Sequence, residues 1–555
     1  MNDFTVLIGG KAGDGIDRAG ITIAQILSSI GYRIFIHRDY PSLIRGGHTF
    51  SIIRACERSI FAHREQIDIL IALNTETLNL HRKKLKENCF YIYDSGQTKL
   101  DGDACGTGIP IASILKEENA PELMKNSCLI GAFGKAAGVD WEIIEKVLKI
   151  SMPKQIELNL KVATKGYDLS EKLLDIEKIQ QVHLPVLTGN EAIAFGLIAA
   201  GLDAYAGYPM TPSSGLLHFL AEISPEFNIR VVHAENEIAV IMMALGFAYA
   251  GKKAAVGTSG GGFCLMNEGL SLTGMAELPV VIVLGQRTGP STGLPTYTGQ
   301  TELFYAIYSG HGEFSRLVVA PGDQHQAYFW SAMALNLAWK YQIPAIILSD
   351  KTLAEGISSF DINKAGEVDV SAPLLWDNNG VYKRYQNTEN GVSPLCFPPQ
   401  NNAVIKVNSY EHDEYGITTE DPEITRLMQE KRTRKEKFLL LEVEENYQCV
   451  NVYGNKESET AILCWGSNMP ICVEAAEKFG LKVIQPVVLH PFPVKQFNRA
   501  LAGIKRVIDV ECNTASQLAK LIKQYGFSVE EKILKYDGRP FSVDELENKI
   551  ERILK

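Results

Sequence analysis

The sequence predicts an α/β protein of three domains with mostly parallel sheets, and three observations lead there. Short apolar runs that read as buried strands alternate with segments of helical apolar spacing. This alternation starts three times, near residues 1, 189 and 457. The 555 residues are enough for roughly three or four domains at about 100–200 residues each.

Apolar residues make up 46% and charged residues 22%, the balance of a globular chain that buries several cores. The net charge of −10 argues against a nucleic-acid partner, because phosphate binding needs a basic surface. No apolar stretch approaches the length of a membrane span, and Met1-Asn-Asp-Phe4 lacks a basic leader. A cytoplasmic chain without membrane association is therefore expected. The ten cysteines are scattered and no two form Cys-x-x-Cys, which argues against both a ferredoxin-type cluster and a disulfide framework in this chain. No metal site is expected on it.

In the first domain, residues 1–175, a strand over 4–8 leads into Gly9-Gly-Lys-Ala-Gly-Asp-Gly15 and a helix over 16–29. A strand, a glycine turn and a helix start form a natural anion site. Gly13 and Gly15 are thus candidates for phosphate or coenzyme A contact, or for a subunit-contact loop, with a plain tight turn as the alternative. The P-loop pattern fails, since no Gly-Lys-Ser/Thr closes the turn. Arg45-Gly-Gly-His48 adds a cation, Arg45, suited to a phosphate or to a neighbouring carboxylate. Strands over 69–73 and 90–93 and a helix over 141–150 follow. Residues 169–181 read as an interdomain helix or linker.

The second domain, 189–360, alternates helix and strand throughout. Tyr208-Pro-Met-Thr-Pro-Ser-Ser214 leaves a strand over 204–207 and enters a helix. Two prolines stiffen this loop, and Thr211, Ser213 and Ser214 present hydroxyls suited to a carboxylate. His233-Ala-Glu-Asn-Glu237 places two carboxylates just before an apolar helix. The helix dipole accounts for Glu237 and accounts less well for Glu235. Thr258-Ser-Gly-Gly-Gly-Phe-Cys264 lets a ligand approach the backbone closely. Arg287, in Gly285-Gln-Arg-Thr-Gly-Pro-Ser-Thr-Gly293, stands at a strand's carboxyl end, where a guanidinium fork suits a carboxylate. Residues 361–456 read as an extended connector, in which the charged tract Glu430–Lys437 is a solvated helix face. Residues 457–555 form a third α/β domain.

Together these motifs resemble the 2-oxoacid:ferredoxin oxidoreductase family, over nearly the whole chain. Residues 1–175 resemble its γ domain. Residues 189–360 resemble its pyrimidine-binding domain for thiamine diphosphate, a doubly wound parallel sheet. Residues 457–555 resemble its transketolase-C-like domain. The γ–α order is similar to the large subunit of two-subunit enzymes. The resemblance implies coenzyme A-dependent oxidative decarboxylation of a 2-oxoacid to acyl-CoA and CO2, with electrons passing to ferredoxin. It implies that Thr211 and Arg287 bind the oxoacid carboxylate, with Ser213 and Ser214 beside them. Glu235 would bond N1′ of the aminopyrimidine, and Tyr208, Pro209, Gly260 and Gly261 would line the cofactor. Gly13-Asp-Gly15 and Asp101-Gly-Asp103 match the family's diphosphate–Mg2+ segment only superficially. A β subunit carrying Mg2+, the diphosphate and a [4Fe-4S] cluster is therefore implied. The family's Gln-x-Asp stands here as Gln300-Thr-Glu302. 2-Oxoglutarate is the favoured substrate, with pyruvate or a branched-chain oxoacid as alternatives. A transketolase relative and a non-catalytic coenzyme A- or partner-binding scaffold are the competing readings.

Overall fold

The computed structural model describes residues 2–42, 46–100 and 105–555. Arg45 and the Asp101-Gly-Asp103 stretch lie outside the described residues. The chain forms two compact units. One comprises Met1–Leu187, Gly356–Asp361 and Ser542–Lys555; the other comprises Thr188–Glu355 and Ile362–Phe541. Among the described residues, no helix is long and apolar enough to cross a membrane.

The first unit is built on an eight-stranded sheet. Its order is Gly106–Ile109, Leu85–Asp94, Ile67–Ala72, Asp3–Lys11, His48–Cys56, Arg33–Asp39, Ile357–Ser359 and Val186–Thr188. The expectation of a mostly parallel sheet holds on one side only. Asp3–Lys11, Ile67–Ala72, Leu85–Asp94 and Gly106–Ile109 pair in parallel. On the other side, the pairs through His48–Cys56, Arg33–Asp39 and Ile357–Ser359 are antiparallel. The reason is chain length. Residues 40–47 are too few for the crossover of about a dozen residues that a parallel return requires. Residues 169–181 form no interdomain helix but an irregular segment packed on the first unit. Leu174 and Ile176 are buried, and the Ile179 N–H donates to the Ile30 carbonyl at 2.8 Å. Gly31, at φ 101°, lets this segment approach; a Cβ there would stand 2.1 Å from the Ile179 oxygen.

The second unit carries two sheets. The larger runs Val488–His490, Leu317–Val319, Pro344–Asp350, Val280–Gln286, Ala254–Ser259, Ala204–Gly207, Arg230–His233. All its pairs are parallel except that of the edge strand Val488–His490. Its central strands are buried along their whole length, as expected where helices cover both faces, whereas the edge strand Arg230–His233 is partly exposed. The smaller sheet runs Val450–Gly454, Lys482–Pro486, Thr460–Cys464, Arg506–Glu511, Glu531–Leu534, with only Val450–Gly454 antiparallel.

The charged tract 430–437 departs most from the expectation. It lies in a long helix, Pro422–Asn446, started by Asp421, whose carboxylate accepts the N–H groups of Glu423 and Ile424. Lys431, Arg432 and Lys435 are buried, not solvated. They recur on one helical face with Met428, Leu439 and Val443. Lys431 Nζ donates to both oxygens of Glu277 at 2.7 and 2.8 Å, and Lys435 pairs with the same carboxylate. Arg432 forks onto Glu411 at 2.9 and 2.5 Å. A cation tract can line a core when carboxylates are buried with it.

Candidate functional site

Four parallel strands of the larger sheet end side by side. Gly207 lies in register with His233 and with Gly257, and Ser259 with Gly285. The four motif loops leave from these carboxyl ends, the edge where open α/β sheets bind ligands.

The first loop and the Arg287 loop meet directly. Arg287 Nη1 donates to the Thr211 carbonyl at 3.0 Å, and the Pro212 ring packs on Gly285, where a Cβ would stand 3.0 Å from Cδ and Cγ. Burial draws the Arg287 guanidinium below its ordinary pKa, and the charge of Glu302 opposes this. The two serines behave differently. Ser213 is buried, its hydroxyl donating to the Met210 carbonyl at 2.8 Å, while the Ser214 N–H donates to the same carbonyl at 3.1 Å. Both close the turn that starts helix Ser214–Phe227. The Ser213 hydroxyl is thus spent within the turn, and the Arg287 guanidinium stands at the Thr211 backbone. Tyr208 and Pro209 are exposed at the loop's head.

The structure separates the two carboxylates of the second loop. Glu235 is exposed, whereas Glu237 is 3% exposed, at the first position of helix Glu237–Tyr249. Asn236 caps that helix by accepting the Ala239 N–H at 3.0 Å, and this turns the Glu237 side chain inward. Glu237 Oε1 is buried without a hydrogen-bond partner. It lies over Gly262, where a Cβ would stand 2.5 Å from it and 2.1 Å from Thr258 Oγ1. A buried carboxylate oxygen lacking a donor calls for one from a ligand. Of the two glutamates, Glu237 and not Glu235 offers a buried carboxylate oxygen without a partner. One sequence signal marks the difference: the helix beginning at Glu237 is apolar on almost every face, so a carboxylate in its first turn is drawn inside.

The glycines of the third loop also divide. Gly261 faces open space, and Gly260 lies against Glu302, whose Oε1 would be 3.0 Å from a Cβ there. Helix Gly260–Ala276 begins at Ser259 without a side-chain cap. The carboxyl of Glu302 is pushed up to about 7, chiefly by burial, with the Thr301 hydrogen bonds and then the Arg287 charge opposing. In the first unit, Gly13 and Gly15 adopt φ values of 96° and 75°. Asp14 between them pairs with Lys125 at 2.7 Å, and Gly13 opens to free space.

A buried carboxylate with one unpartnered oxygen, open backbone at Gly261 and a guanidinium at converging strand ends are groups that suit a thiamine diphosphate site. Comparison with known proteins agrees. Residues 195–430 match the family described as pyruvate flavodoxin/ferredoxin oxidoreductase, thiamine diP-bdg, and residues 5–169 match pyruvate ferredoxin/flavodoxin oxidoreductase. The 2-oxoacid:ferredoxin oxidoreductase subunit alpha of a Sulfolobus species is 31% identical over 99% of this chain and 96% of its own. A 2-oxoglutarate synthase subunit of Archaeoglobus fulgidus is 38% identical over 34% of this chain and 54% of its own. The structure of a 2-oxoglutarate:ferredoxin oxidoreductase from Magnetococcus marinus, with 2-oxoglutarate, coenzyme A and succinyl-CoA bound, superposes over the full length of both chains. Its TM-score is 0.90 at 30% identity. The chain belongs to the 2-oxoacid:ferredoxin oxidoreductase family, as an alpha subunit of a multi-subunit oxidoreductase with a thiamine-diphosphate-binding domain.

Proposed function

We propose that this chain grips a 2-oxoacid, with 2-oxoglutarate as the substrate, and completes its active site with a β subunit. The observation that carries the reading is the convergence of Arg287 on the Thr211 carbonyl, with buried Glu237, its Oε1 unpartnered, following the neighbouring strand end of the same sheet. The substrate choice is supported by the 2-oxoglutarate-binding relatives. Thiamine diphosphate, when bound, supplies the electron sink for decarboxylation. With the cofactor bound, Glu237 would hold a proton at N1′ of its aminopyrimidine. Arg287 and the Thr211 hydroxyl orient the substrate carboxylate, while Gly261, open to space, leaves room for the ring and Gly262 makes room for the Glu237 carboxylate. The β subunit holds the Mg2+–diphosphate and a [4Fe-4S] cluster and passes electrons to ferredoxin, consistent with the absence of Cys-x-x-Cys here. Coenzyme A contacts fall to the Gly13–Gly15 turn. The scattered cysteines, which form no disulfide-type pattern in the sequence, support a cytoplasmic location.

Purified with its partner subunit, the protein is expected to reduce a viologen dye with 2-oxoglutarate and coenzyme A more efficiently than with pyruvate or branched-chain oxoacids. A higher kcat/KM for another oxoacid would replace the substrate assignment. Arg287→Ala and Thr211→Ala are expected to raise the oxoacid KM, Arg287→Ala by about 10- to 100-fold, the range of a lost charge-assisted bond. Thiamine diphosphate binding should persist in both, and an unchanged oxoacid KM would remove that residue from the site.

Glu302 adds a pH dependence. As its carboxyl ionises above about pH 7, it neutralises Arg287 and competes with the substrate carboxylate. The oxoacid KM is expected to rise through that range in the native enzyme and to stay flat in Glu302→Gln. The same slope in both proteins would exclude Glu302 as its source.

A further inference from the structure

The loop that carries Arg287 is held at its far end by the domain of the smaller sheet. Gln300 is fully buried, and every polar group it has is partnered there. Nε2 donates to the Trp465 carbonyl at 2.9 Å, and Oε1 accepts from Asn468 Nδ2 at 2.6 Å and the Cys512 N–H at 2.9 Å. The Gln300 N–H donates to the Cys512 carbonyl at 2.8 Å, and its carbonyl accepts from Asn513 Nδ2 at 2.9 Å. Trp465 and Asn513 are fixed in turn by Glu511, which accepts from Trp465 Nε1 at 2.9 Å and from Asn513 Nδ2 at 2.7 Å. Nearer the loop's tip, the Thr298 N–H donates to the Gly538 carbonyl at 3.0 Å, and the Arg539 guanidinium lies 3.8 Å over the Tyr297 ring. Thr288, next to Arg287, is tied back to this region by its hydroxyl, which donates to the Thr298 carbonyl at 2.8 Å.

A residue with five buried hydrogen bonds in one direction, three from its side chain and two from its backbone, is stiffly placed, because no water can replace a bond that is lost. The loop between Arg287 and Gln300 therefore takes its position from residues 465–468, 512–513 and 538–539. We propose that the C-terminal domain is a positioning clamp for the oxoacid grip, with Gln300 as its positioning residue. The clamp sets where the Arg287 guanidinium stands relative to Thr211, and so selects oxoacid affinity without touching the substrate. This rests on the reading of Arg287 as the carboxylate grip.

The test uses the intact complex with its partner subunit, comparing Gln300→Ala, Arg539→Ala and Arg287→Ala. Arg539 is exposed, so its replacement spares the fold. The expected result is a rise in the oxoacid KM of about 2- to 5-fold for Arg539→Ala and roughly tenfold for Gln300→Ala. The coenzyme A KM should stay at the native value in both. If Arg287→Ala raises the oxoacid KM while Arg539→Ala and Gln300→Ala leave it unchanged, the clamp is overturned and the grip stands. Equal rises in both KM values would also overturn the clamp, as general damage. An unchanged KM in Arg287→Ala removes the grip and the clamp with it. Should Gln300→Ala fail to fold, Arg539→Ala decides alone.

Discussion

Replacing Glu237 with Gln is expected to lower kcat of the assembled enzyme by about 10²- to 10⁴-fold, the usual contribution of a positioned proton-sharing group. The same change at Glu235 should leave kcat within a few-fold of native. The side chains stand two residues apart and differ in environment alone. Glu235 is exposed, whereas Glu237 is buried with Oε1 unpartnered above Gly262. Glutamine keeps the shape and one acceptor oxygen, so the helix start and its Asn236 cap should survive. What it loses is the ability to share a proton with an aromatic ring nitrogen. Thiamine diphosphate affinity should fall modestly and turnover severely, as single-turnover and steady-state viologen assays would separate. Near-native turnover in Glu237→Gln, or collapse in Glu235→Gln, would return the role to Glu235.

The contrast between these glutamates shows where sequence reasoning reaches and where it stops. Strand Ala204–Gly207 and helix Ile16–Ser29 are legible to the residue, because apolar period and turn chemistry agree there. The meeting of the Thr211 and Arg287 loops is legible as chemistry, since both leave strand ends of one sheet. Choosing between Glu235 and Glu237 requires knowing which way a helix start rotates. Asn236 sets that rotation through one hydrogen bond. The antiparallel half of the first sheet was hidden for another reason. Arg33–Asp39 mixes charged ends with an apolar middle, so its pattern is weaker than that of a buried parallel strand. Buried Lys431 and Lys435 defeat composition altogether, because their partner Glu277 lies far away in the chain.

That partnership supports the second large effect. Glu277→Gln is expected to destabilise the protein by about 3–5 kcal/mol at neutral pH, the range found when one member of a buried ion cluster is removed. Glu277 is 1% exposed, and Lys431, Lys435 and Arg384 are 0%, 1% and 2% exposed. Against burial, the Lys431, Lys435 and Arg384 charges hold the Glu277 carboxyl well below the usual carboxylate range. Without it three buried cations face one another, and Lys431, already drawn down to about 7 chiefly by burial, loses the charge that keeps it protonated. The position matters for the site as well. Glu277, at φ 49°, ends helix Gly260–Ala276, and Arg384 Nη2 donates to the carbonyls of Ala276 and Glu277 at 3.0 and 2.8 Å. The cations thus close the carboxyl end of the helix whose amino end faces the cofactor cradle. Because the native pKa of Glu277 is depressed, its contribution is full above the unfolded carboxylate value of about 4.3 and fades as pH falls through the folded value. The gap between native and Glu277→Gln in denaturant unfolding should therefore be widest at pH 7 and narrow below about pH 4. Replacing Glu277, Lys431 and Lys435 together with Met should recover part of the lost stability, since two of the three buried cations leave with the carboxylate. A single variant as stable as the native protein would show that water or a conformational shift already screens these lysines.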